Sequence, residues 1–166
     1  MKYLSTALMA KFRETPHNNF YTIISGQLFK EVAKQTATKP YAIFHIISNT
    51  PDPNFTSEVE KLRIQFDLYS SEHTSDQIED MFTYLKELFD WCLLTVSGNT
   101  FVYMKRLSAN LGKDIEDDIW NLRSDFEVCI EHIAGVSPSN SPSTSPSRSP
   151  SESPSASPSA SPSVAP

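Results

Sequence analysis

Residues Lys61-Leu62-Arg63-Ile64-Gln65-Phe66-Asp67-Leu68-Tyr69 alternate polar and apolar side chains almost without a break. Successive strand residues point to opposite faces, so Leu62, Ile64, Phe66 and Leu68 line a core while Lys61, Arg63, Gln65 and Asp67 look away from it. Downstream, in Ser75–Cys92, the apolar period lengthens to three or four residues. Ile78, Met81, Phe82, Leu85, Leu88, Phe89 and Cys92 then form one stripe of a helix. Thr74 and Gln77 have capping-box spacing, and Asp76 falls in the first turn, where the helix dipole favours an anion. From Trp120 to Glu131 the alternation returns. Trp120, Leu122, Phe126, Val128 and Ile130 share one side; Asn121, Arg123, Asp125, Glu127 and Glu131 take the other. One amphipathic helix therefore packs on one face of an antiparallel sheet.

Toward the N-terminus, Leu4, Leu8 and Phe12 recur at helical spacing. With Lys11 and Arg13 close behind, they predict a first amphipathic helix in preference to a weak signal peptide. Pro16 and His17-Asn18-Asn19 interrupt the pattern, Phe20–Ile24 resumes it as a short helix ended by Gly26, and Gln27–Phe29 reads as a short strand. The polar run Lys30–Lys39 is a loop or short helix, with Lys39 biased to extended geometry by Pro40. Tyr41–Ser48 is a nearly continuous apolar run of β-formers, which predicts a strand covered on both faces, central or at an interface. Asn49–Asn54, with Pro51 and Pro53, reads as a turn or loop. Leu93–Val96, the turn at Ser97-Gly98-Asn99 and Phe101–Leu107 read as a hairpin, and Asn110–Asp118 as a polar connection to the last strand. The fold class is α+β: an antiparallel or mixed sheet of about four or five strands, packed by one long helix and an N-terminal helix.

Ser137–Pro166 repeats Ser-Pro-Ser-x, and eight of the twelve prolines lie there with no aromatic residue. Such a composition cannot bury enough apolar surface to offset its ordering entropy. The expectation is a domain over residues 1–134 and a disordered tail over 135–166 with polyproline II character. The tail's Arg148 and Glu152 cancel, so the net charge of −6 belongs to the domain. That argues against nonspecific nucleic-acid binding, which needs clustered Lys and Arg.

Catalytic and ligand-binding signatures are missing from the sequence. It has four glycines and no phosphate-cradling loop or nucleophile elbow. Cys92 and Cys129 lack metal or disulfide spacing and read as buried or half-buried thiols. His17, His45, His73 and His132 are scattered. His45, inside the apolar run, reads as a satisfied sheet or interface histidine. Asp114, Glu116, Asp117 and Asp118 lack the ligand alternation of a calcium loop and read as a solvated turn, while Trp91 and Trp120 read as packing residues. The expectation is no enzyme, no catalytic residue, no cofactor and no metal, and no stretch is long enough to span a membrane.

What remains is the polar side of the sheet. Arg63, Gln65 and Asp67 on one strand and Arg123, Asp125 and Glu127 on another form a mixed-charge surface, read either as solvated or as an assembly surface whose charges set register. The doubly apolar strand, through Tyr41, Ile43, His45 and Ile47, favours assembly, because something must cover its second face. These ten residues are the candidate subunit interface.

The N-terminal helix, the Pro40-Tyr41 step into an apolar strand, the Leu62–Tyr69 strand, the Ile78–Leu88 helix, the Phe101–Leu107 strand and the closing Trp120–Glu131 strand occur in the order and spacing of a known family. Over Met1–His132 the chain resembles the tail-completion or tail-terminator proteins of long-tailed bacteriophages. The Asn49–Glu60 loop with its prolines and the Ser-Pro tail depart from that pattern. The resemblance implies a homo-oligomeric ring, commonly a hexamer, that completes the tail at its head-proximal end. Its partners would be the tail-tube and head–tail connector proteins, DNA would pass without being read, and the location would be the virion tail or neck, with host cytoplasm during assembly. The alternative is a monomeric α+β binding or adaptor domain with a flexible Ser-Pro tether open to modification.

Overall fold

In the chain, the alternating stretch becomes the centre of a sheet. A computed structural model describes residues 2–14, 16–53 and 58–132. The elements are α1 (Lys2–Phe12), α2 (Asn19–Ile23), β1 (Leu28–Lys30), β2 (Tyr41–Pro53), β3 (Glu58–Ser70), α3 (Asp76–Phe89), β4 (Asn99–Asp114) and β5 (Ile119–His132). The sheet order is β1-β2-β3-β5-β4, with β1 parallel to β2 and the other pairings antiparallel. The expected α+β class with a mixed five-stranded sheet is therefore observed. The expected Ser-Pro tail lies outside the described residues.

One face of the sheet carries the core. Leu62, Ile64, Phe66 and Leu68 of β3 are fully buried, as are Phe44 of β2 and Phe126, Val128 and Ile130 of β5. Phe66 sits at the centre, its ring 5.1 Å from Phe89 of α3, 5.5 Å from Phe126 and 6.1 Å from Phe44. Leu4, Leu8 and Phe12 of α1 join the same cluster, as their spacing requires. Asn18 ties α1 to α2. Its side-chain amide donates to Phe12 O at 2.9 Å, and its Oδ1 accepts from Tyr21 N at 2.7 Å as an N-cap.

Gly26 closes α2 at φ +72°, its N–H donating to Tyr21 O at 2.8 Å. A Cβ there would meet the Tyr21 ring at 2.9 Å, and that ring is itself fixed by stacking on His17 at 3.9 Å. Gly26→Ala is expected to lower stability by about 1–2 kcal/mol, from the left-handed backbone and the clash together, measurable by urea denaturation.

Several boundaries differ from the sequence expectation. Asn49–Pro53 is strand rather than loop, with Pro51 opposite Glu60 and Pro53 opposite Glu58. β1 pairs only with Ala42–Phe44, so the far end of β2 is a sheet edge, and a missing proline N–H costs nothing there. Asn54 lies outside the described residues. Tyr41–Ser48 is not covered on both faces within the chain: Ala42 and Phe44 are buried, whereas Tyr41, Ile43 and His45 are half-buried.

Leu93–Val96 is not a strand, although Leu94 and Val96 alternate into the core. The hairpin is instead β4 with β5, paired from Asn99↔His132 to Asp114↔Ile119. Asn110–Asp114 therefore belongs to β4, because Leu111 opposite Leu122 and Lys113 opposite Trp120 carry the ladder on, and only residues 115–118 turn. The capping box is also absent. Ser75 is the N-cap and makes no side-chain bond. Thr74 Oγ1 instead donates to Asp76 Oδ2 at 3.1 Å, and Gln77 Oε1 accepts from Ser70 Oγ at 2.6 Å. α3 stops at Phe89, short of Cys92, and Trp91, at φ +58°, is 70% exposed rather than packed.

Candidate functional site

Both long helices and α2 join the single core cluster on one side, which leaves the other face of the sheet open. On that face the strand register lines the candidate residues up in rows. Ile43, Asp67 and Arg123 form one row, and His45, Gln65 and Asp125 a second. Arg63 and Glu127 form a third, and Tyr41 opens a fourth beside Tyr69. Ile47 departs from simple alternation: it is the extra residue of a β-bulge between Ile46 and Ser48, left 47% exposed beside Arg63. All ten candidate residues are thus contiguous. β4 adds Tyr103, Lys105 and Ser108 to the same face through their pairing with Cys129, Glu127 and Asp125. Sequence reading missed these three because it joined β4 to the wrong neighbour.

The charges on this face interlock. Asp67, only 3% exposed, accepts from Arg123 Nε at 3.0 Å and Gln65 Nε2 at 2.8 Å, with His45 Nε2 at 3.5 Å. The Asp67 carboxylate pushes the Arg123 guanidinium pKa further up. Arg63 donates to Asp125 Oδ2 at 2.9 Å, and Ser108 Oγ reaches the same oxygen at 3.3 Å. Asp125 Oδ1 is sheltered and has no hydrogen-bond partner among the described residues. Glu127 accepts from Tyr103 OH at 2.8 Å and pairs with Lys105 at 3.0 Å, and these two hold its carboxyl below the usual range. The Tyr103 phenol is pushed up to about 12, by burial first and by Glu127 second. Within this cluster Arg63, Lys105 and Arg123 are paired with Asp125, Glu127 and Asp67, so these six charges cancel.

The sheet edges flanking this face are unlike one another. β4 is an edge strand of sixteen residues. Its free side is blocked midway, where Trp91 N donates to Met104 O at 2.8 Å and Asp90 Oδ1 accepts from Arg106 N at 2.9 Å. Unpaired strand edges invite association, and such blocks limit it. Val102 and Leu107, at the two bulges of β4, remain exposed, as does Leu111. On the opposite edge Ile47 and Val32 are exposed.

A second polar cluster lies at the end of the sheet where β5 finishes. Glu60 accepts from Tyr3 OH at 2.9 Å, and its other oxygen lies 3.1 Å from His132 Nε2. Burial alone would raise the Glu60 carboxyl, but hydrogen bonds from His132, Tyr3 and Asn49 outweigh it and hold it below its ordinary value of 4.5. A carboxyl depressed in the folded state stabilises the fold above its unfolded pKa, and that contribution is lost as pH falls through the folded value. Wild-type stability is therefore expected to fall as pH drops below 4.5, and Glu60→Gln to flatten that part of the curve. Denaturant midpoints measured at stepped pH check both.

Among the described residues no three His, Cys, Asp or Glu side chains converge as a metal site. Asp114 Oδ1 accepts from the backbone N–H groups of Glu116 and Asp117, and Asp118 pairs with Lys113 and His73, so the acidic turn is an exposed, internally bonded loop. Cys129 is buried and Cys92 half-buried. No helix among the described residues is long and apolar enough to cross a membrane.

No protein-family model matches the sequence, and no curated protein matches it. The fold is similar to that of a solved chain from the virion of a native gene transfer agent particle, with a TM-score of 0.66 at 11% sequence identity. The likeness covers 76% of this chain and 96% of that one.

Proposed function

We propose that the chain is a structural virion protein that completes a phage-type tail at its head-proximal end and joins it to the head connector as a homo-oligomeric ring. The observation that carries this reading is the fold shared with nearly the whole length of a gene transfer agent virion chain. The open sheet face supports it. So do the two unlike edges, since rings form through heterologous contacts in which one surface meets a different one. Ile47 and Val32 on one edge, and Val102, Leu107 and Leu111 on the other, offer such a pair. The role needs no catalytic residue, cofactor or metal. A net charge of −6 suits a ring through which DNA passes unread, because a repulsive lumen does not hold phosphates. The tail tube, the connector and further copies of the chain are the proposed partners, in the virion after assembly in host cytoplasm.

The mutual pairing of Arg63, Lys105 and Arg123 with Asp125, Glu127 and Asp67 favours a second reading, a monomeric binding domain with a Ser-Pro tether, because these six charges already have partners within the chain. Light scattering of the full chain, alone and with purified tail tubes, separates the two. A closed ring seen by negative-stain microscopy supports the first. A chain that stays monomeric at high concentration in both mixtures excludes it.

A further inference from the structure

Between α1 and the segment 93–97 runs a mainly apolar groove of about 460 Å³, lined by Lys2, Tyr3, Thr6, Ala7, Ala10, Thr95 and Ser97. A smaller recess on Ala7, Ala10 and Thr95 continues it toward Glu14 and Leu93. Small side chains on this flank of α1 create the space, and Leu93, 83% exposed, forms its far rim.

The described chain ends close to the Tyr3 end of this groove. His132 is the register partner of Asn99, two residues beyond Ser97. Its ring and the Tyr3 hydroxyl share the Glu60 carboxylate. The sequence then continues Ile133-Ala134-Gly135-Val136, without a polar side chain, before the first Ser-Pro step. Four extended residues reach about 13 Å. Along α1 the seven rises from Tyr3 to Ala10 span about 10 Å, so length and chemistry agree.

We propose that Ile133–Val136 seat in this groove and fasten the root of the Ser-Pro tail against α1. The tail then departs on the helix-covered side of the domain, which keeps thirty residues of Ser-Pro repeat off the open sheet face. This inference stands independently of the assembly role.

Disulfide trapping in the full chain tests it. Thr100 lies at the same end of the sheet as the groove, but its partner Glu131 places it on the open face. Oxidation is expected to close an intramolecular bond in an A10C/V136C chain at least about tenfold faster than in a T100C/V136C chain, because docking raises the local concentration at one site only. Adding I133D is expected to remove that difference. Burial holds the Cys92 thiol up at about 11, so it competes little near neutral pH. Equal rates for the two pairs overturn the inference. So does an A10C/V136C product that is a disulfide-linked dimer, which would give the groove to a second copy. Alanine-methyl NMR of the chain without new cysteines is the second measurement. I133D is expected to shift the Ala7 and Ala10 methyl signals and leave Ala42 unchanged, and unmoved Ala7 and Ala10 signals likewise overturn it.

Discussion

Phe66→Ala is expected to destabilise the domain by about 3–5 kcal/mol, a large part of the whole stability of an ordinary domain. Phe66 is fully buried on the central strand, and its ring meets Phe44, Phe89 and Phe126 from two neighbouring strands and α3. Deleting the ring removes its own burial and strips contacts from three others, which are anchored on separate elements and cannot all close in. Differential scanning calorimetry should show the midpoint lowered by about 10–20 °C. Phe66→Leu, which keeps most of the volume, is expected to lose well under half as much. If the alanine variant melts within about 3 °C of wild type, Phe66 is not the centre of the core.

Under the proposed ring, Ile47→Asp is expected to weaken assembly at least about 100-fold, because a carboxylate placed inside an apolar subunit contact would be desolvated without a partner. Ile47 is 47% exposed at a bulge next to Arg63 and contributes little to the core of its own chain. The midpoint of thermal unfolding of the isolated chain should therefore move by no more than about 2 °C. Light scattering across a concentration series reads the assembly, and Glu116→Lys in the exposed β4–β5 turn serves as the neutral comparison. A variant whose mass stays that of wild type at every concentration removes β2 from the subunit contact.

The parts of the fold legible in the sequence are those where one rule acted alone. Leu62–Leu68 and Trp120–Ile130 alternate because one face meets the core, and the stripe of α3 could point nowhere else. The errors arose where local chemistry competed with sheet position. Pro51 and Pro53 carry a turn signal, yet they sit in a strand because their side of β2 has no neighbour to receive an N–H. Leu94 and Val96 alternate like strand residues, but their backbone stands outside the ladder, and only the long pairing of β4 with β5 reveals it. Leu107 broke the alternation of β4 because it occupies a bulge. Strand parity alone puts Arg63, Gln65 and Asp67 on the same face as Arg123, Asp125 and Glu127, whereas the place of Ile47 depends on the bulge in β2. The shared use of Asp67 by His45, Gln65 and Arg123 needed the register, which no spacing within one strand supplies.

β3 is flanked along its whole length by β2 and β5, and this sets a constraint on the order of folding. The first neighbour is joined by a hairpin, whereas the second is the last described element, with Tyr69 paired to Asn121 and Glu58 to His132. During synthesis a nascent chain that has emerged only through α3 carries β3 with one side bare, and it can complete the sheet only after β5 has been made. Long-range pairing of this kind closes slowly, and a bare central strand is a template for other chains in the meantime. Truncation between α3 and Ile119, which removes β5 entirely, should therefore yield insoluble protein rather than a smaller soluble domain, as read by the soluble fraction on expression.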